Sequence, residues 1–387
     1  MRSRGNIWTR LGALSLGGAL AVGLFLPATL PAQEENKKAQ TQTTDYSKLA
    51  WPAPPAPARI RYIGAYSGDD IRPKKKRGWL EKLAGVPEEQ ARSHMLKPYG
   101  VAIDSKGRAF VVDTLLRVVF VLDLENKSLE YRGDKPPAAF RTPIGAAIDE
   151  KDRLFVSDAE LHTITCFSPE GEVLAMFGGD KLERPAGLAV DVPLRRLYVA
   201  DAKARKVLVF DLDKLEFVGT IGKPLDGDSE QLGAFIAPTN VAIDPDGLIY
   251  VVDTFNNKIQ VFDTDGEPVR SFGRLAEGAG GFPRPKGIAF DSDGHVYVVD
   301  AMKNQFEILT RDGKPLAPVG ALGPNPGQFN VPAAIAIDRF NRIFVTDQRN
   351  RRVQVFQYIT DAEAGTEKGK EIKADSQSNP VAQRRPK

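Results

Sequence analysis

A chain of 387 residues, 42% hydrophobic, with one cysteine and a formal net charge of +3, can bury a large core but cannot form an intramolecular disulfide framework. Arg2, Arg4 and Arg10 are the only charged residues before position 33. Setting those three aside reduces 53 bases to 50 against 50 acids, which excludes nucleic-acid binding by bulk charge.

The three arginines precede Leu11–Leu26, an uncharged apolar run closed by Pro27. Its sixteen residues are short of the about 20 that a spanning helix needs. With small residues at Ala28 and Ala32, residues 1–32 read as a secretory signal cut near Ala32, or as an anchor if uncut. Either case places the remainder outside the cytoplasm, periplasmic or secreted, with membrane contact only through an uncut N-terminus. Residues 33–58 are polar and then proline-rich from Trp51, a stiff linker. Arg59–Tyr66 is a strand candidate without a nearby hairpin partner. Residues 68–97 separate it from the periodic part of the chain and carry the basic run Lys74–Arg77, followed by Trp79, Leu80 and Leu83, which are spaced for one face of a short helix.

From Pro98 onward the chain is periodic. An Asp closes a β-branched run at Asp113, Asp158, Asp201, Asp253, Asp300 and Asp347, with an aromatic residue three positions earlier in every copy. In Pro238–Phe272 four such runs are cut by Asp-Pro-Asp-Gly, Thr-Phe-Asn-Asn and Thr-Asp-Gly. Asp-Gly between such runs signals a hairpin, because Gly accepts the positive φ of a tight turn. Each copy therefore makes a four-stranded antiparallel sheet, which must pack against its neighbours to be stable. Six copies spaced 43 to 52 residues apart predict an all-β, six-bladed β-propeller over residues 59–359. The sixth copy has only three runs before the polar stretch 360–387, which reads as disordered. Ile60–Tyr66 is expected to supply the missing fourth strand and so close the ring.

Pro98–Asp104, Arg284–Asp291 and Val251–Gln260 resemble the NHL repeat, and the likeness recurs six times between about Arg59 and Tyr358. The resemblance implies the propeller and leaves function open between binding modules, scaffolds and a few enzymes. An NHL-like amidating lyase uses a histidine-bound metal, but His94, His162 and His295 fall in separate elements. Lactonase-like propellers need Glu and Asn/Asp around a central metal, and here Asn240 has no inward glutamate beside it. The second position of the opening motif (Tyr99, Ile144, Ala186, Thr239, Lys286, Ala333) offers one cation and no carboxylate. The reading that follows is non-catalytic, with no cofactor and no metal. The alternative is a metal-dependent hydrolase or lyase with its site at the central channel.

In a propeller the second-to-third-strand turns share a rim with the links between blades. That rim is expected to be basic and partly apolar, with Arg117, Lys203, Arg205, Phe255, Lys303, Arg349, Arg351 and the overhanging Trp79 as candidate contacts for a protein, peptide or small anionic ligand. The opposite rim collects Asp149, Asp244, Asp246, Asp291 and their neighbours, and is expected to be acidic with few bases. The aspartate ending each second strand is expected to cap its turn rather than hold a metal.

Overall fold

The computed structural model describes residues 46–53, 57–68, 70–71, 94–227 and 230–364. The expected signal 1–32, most of the linker, Lys74–Arg77, Trp79 and the tail beyond 364 lie outside the described residues. Six antiparallel sheets follow the six copies. Blade 1 is Pro98–Ile103, Ala109–Asp113, Val118–Asp123 and Ser128–Arg132, in that spatial order. Blades 2 to 5 repeat it, opening at Pro143, Pro185, Pro238 and Pro285. Blade 6 runs Pro332–Ile337, Arg342–Asp347 and Arg352–Tyr358, and its fourth strand is Ile60–Tyr66, paired from Ile60↔Tyr358 to Tyr66↔Val353. Within the stretch read as linker, Ala50–Trp51 adds a short fifth strand to this blade, with Trp51 edge-on to Phe356 at 5.7 Å.

The period-two pattern explains the packing. Both faces of each central strand are covered by neighbouring blades, so Phe110, Phe155, Tyr198, Tyr250, Tyr297 and Phe344 are all buried. Six apolar clusters fill the seams, one between each pair of neighbouring blades, each built from facing sheets such as Val111 and Phe120 of blade 1 with Phe344 and Val355 of blade 6. Burying one such aromatic contributes about 1.5–3 kcal/mol. The innermost strands approach so closely that a Cβ on Gly145 would lie 2.2 Å from the Ala186 carbonyl oxygen, and one on Gly187 would lie 2.4 Å from Asn240 Oδ1. This is why the third position of the opening motif is so often glycine.

The recurring aspartates hold the sheets in register. Asp113 accepts the amides of Leu96 and Lys97 from the preceding link, and those of Leu115 and Leu116 from its own turn. Asp158 and Asp201 make the same four contacts with their own links and turns. One buried carboxylate per blade thus ties a turn to a link, and with its lone pairs occupied by N–H donors it serves structure, as its repetition suggests.

Candidate functional site

These carboxylates establish that the second-to-third-strand turns and the links lie together on one rim. The opposite rim is less acidic than its sequence suggests, because arginines in and beside its turns pair with many of its carboxylates. Asp104, Asp149 and Asp338 accept from Arg108 Nε (2.6 Å), Arg153 Nε (2.7 Å) and Arg342 Nε (2.6 Å). Those guanidiniums lie over the rings of Phe110, Phe155 and Phe344, which anchors them. Asp291 accepts from the Tyr297 hydroxyl and pairs with the His295 ring. Arg195 bridges Glu150 and Asp213, and Arg311 engages Asp246. Arg195 and then Lys151 hold the Asp213 carboxyl well below the usual carboxylate range. The expectation of few bases is therefore corrected, since it weighed the turn carboxylates without the arginines at the ends of the same turns, Arg108, Arg153, Arg195, Arg311 and Arg342.

The turn-and-link rim keeps its cations, but unequally. Arg117, Arg349 and Arg351 are exposed, and among the described residues none has a carboxylate partner. Arg117, Arg205 and Arg351 occupy the left-handed fourth position of their turns, with φ of 60°, 55° and 55°. Lys203 stands in the open, 3.5 Å from Glu183. Arg205 is partly used, donating to the Leu225 carbonyl at 3.2 Å with Asp226 at 3.8 Å. Lys303 is taken out of contention: its Nζ is consumed by the Gly278 and Gly281 carbonyls and by Glu307. Phe255 projects outward and is 60% exposed.

Sequence reasoning missed how Phe255 is held. Its turn is a short 3-10 helix, Thr254–Asn256, whose flanking side chains are buried while the ring is not. Thr254 Oγ1 donates to the Pro285 carbonyl at 2.7 Å, and Asn257 Nδ2 donates to the Phe282 and Pro283 carbonyls. The Arg284 amide donates to Asp300, and the Arg284 guanidinium lies 5.7 Å from the Phe255 ring centre. Also missed were the aromatic plugs Phe235, Phe282 and Phe329 beneath the links of blades 4 to 6, all fully buried. Their links are pinned by Gln260, Glu307 and Gln354, which accept the amides of Gly233, Gly280 and Gly327. The available signal was a polar residue at the same place in three apolar third strands.

The six first strands line a central channel of about 320 Å³. Its side chains are mostly Gly, Ala, Val and Ile, with Tyr99, Thr239 and Asn240 as the polar ones and no carboxylate or imidazole. Among the described residues no group of three or more His, Cys, Asp or Glu side chains could hold a metal ion. The histidines stay apart, His162 on the Glu183 carbonyl and His295 on Asp291.

A family model described as a 6-bladed beta-propeller matches residues 237–309, which fall in blades 4 and 5. Among solved structures, the chain is similar to a Bacteroides thetaiotaomicron protein of unknown function at 17% identity, with 77% of this chain and 75% of that one covered and a TM-score of 0.57. An auxiliary nutrient binding protein from the same species has 16% identity, coverage of 68% and 69%, and a TM-score of 0.54. A gluconolactonase from Xanthomonas campestris has 16% identity, coverage of 68% and 86%, and a TM-score of 0.52. At such identities the likeness is one of fold. The chain is a six-bladed β-propeller, and these matches do not single out the NHL branch.

Proposed function

We propose that this propeller is an exported, non-catalytic binding or scaffold module that holds a protein, peptide or anionic ligand on its turn-and-link rim. One observation carries the reading. Arg117, Arg349 and Arg351 project from that rim without a carboxylate partner among the described residues, while Asp104, Asp149, Asp246 and Asp338 of the opposite rim are paired with arginines there. Unspent cations on one face steer and orient an anionic partner. A nutrient binding protein among the structural neighbours supports a binding role for this architecture. Export rests on the basic start and apolar run before Pro27.

Replacing Arg117, Arg349 and Arg351 together by Glu should weaken capture of partners from the native compartment by about tenfold or more, with the melting temperature unchanged. Recovery of the same partners in the same amounts would refute the assignment of the rim.

A further inference from the structure

Six-fold repetition marks what the fold needs, so departures from it point to what one site needs. The tip of each second-to-third-strand turn, two residues past the recurring aspartate, is Leu115, Glu160, Lys203, Phe255, Met302 and Arg349 around the ring. Phe255 and Met302 are neighbours on blades 4 and 5, exposed at 60% and 62%, and Lys203 and Arg349 stand on either side of them. Ile236, at the foot of the Phe255 turn through its bond to Asp253, is also partly exposed.

Leaving two large apolar side chains in water is unfavourable, and here the backbone beneath them is stiff. The bonds from Thr254 to Pro285, from Asn257 to Phe282 and Pro283, and from Arg284 to Asp300 lock the Phe255 turn to the segment carrying Arg284. The Arg284 guanidinium, with no carboxylate partner among the described residues, is thereby stacked against the ring before any partner arrives. A pre-set aromatic and arginine pair loses little conformational freedom on binding, which is the composition of an interface anchor.

Resting on the reading that this rim holds an anionic partner, we infer that the partner is an acidic peptide segment with an apolar side chain between its acids, seated off-axis over blades 4 and 5. Its apolar side chain covers Phe255 and Met302, and its carboxylates reach Arg284, Lys203 and Arg349.

The test uses the full chain and two fluorescent probes, a heptaglutamate peptide and the same peptide with phenylalanine at its centre, followed by anisotropy at low salt. The phenylalanine peptide should bind about tenfold more tightly, as expected for burying part of one aromatic ring. The double variant Phe255→Ser/Met302→Ser should lose that advantage while still binding heptaglutamate like wild type. Arg284→Gln should weaken both peptides. Equal affinity of wild type for the two peptides would overturn the apolar anchor and leave the basic rim standing. Binding of neither peptide would overturn both the anchor and the rim. An oligouridylate bound more tightly than the phenylalanine peptide would also overturn the inference, making the platform a base-stacking surface.

Discussion

Closure of the ring can be tested by shaving the strand that performs it. Ile60 and Tyr62 are 1% and 6% exposed and enter the seam between blades 5 and 6, with the Tyr62 ring edge-on to Phe356 at 5.5 Å. Truncating a buried Ile to Ala costs about 2–5 kcal/mol and a buried aromatic about 3–5 kcal/mol. The two side chains share one cluster, so their losses will not simply add, and about 5–8 kcal/mol is expected for Ile60→Ala/Tyr62→Ala. That is a large share of the about 5–15 kcal/mol that holds most domains folded. At about 2 °C per kcal/mol for a chain of this size, the midpoint followed by tryptophan fluorescence should fall by about 10–15 °C. Leu316→Ala, on the exposed outer strand of blade 5, removes as many carbons as Ile60→Ala alone and should move it by about 1 °C. If the double variant melts no lower than this control, the strand does not close the ring.

The innermost seam should be equally intolerant: Gly145→Ala places its new methyl against the Ala186 carbonyl and should cost about 1–3 kcal/mol in urea titrations. Asp253 and Asp347 titrate above an ordinary carboxyl, chiefly because they are buried. Their folded values exceed the unfolded ones, so the stability they lend grows as pH falls through the raised values and levels off below about 4. The deficit of Asp253→Asn/Asp347→Asn against wild type should therefore widen between neutral pH and about pH 4, and a narrowing gap would contradict the burial. Burial also pushes the Cys166 thiol up to about 11, so a thiol reagent at pH 8 should react once in guanidinium and not in the native protein.

Much of this was legible in the chain because it repeats. An Asp three residues after an aromatic, met six times, carries the blade count, the strand order and the capping role without reference to any contact. The missing fourth run after Tyr358 similarly required a strand from elsewhere, and Ile60–Tyr66 had the right alternation. Ala50–Trp51 escaped notice because two residues set among prolines carry no period, and only the edge left by Ile60–Tyr66 makes them a strand. Lys303 and Arg349 are indistinguishable as turn cations in sequence. One is spent on the carbonyls of a link some twenty residues back, and the other stays in water.

The sequence by itself determined the architecture, since hydrophobic period and turn chemistry act locally and six like copies leave one way to bury their faces. Which rim charges remain unspent was decided only by the tertiary structure. Several rim charges are spent on groups of the neighbouring blade, as Lys151 meets Asp213 and Arg311 meets Asp246. No spacing along one strand encodes that meeting.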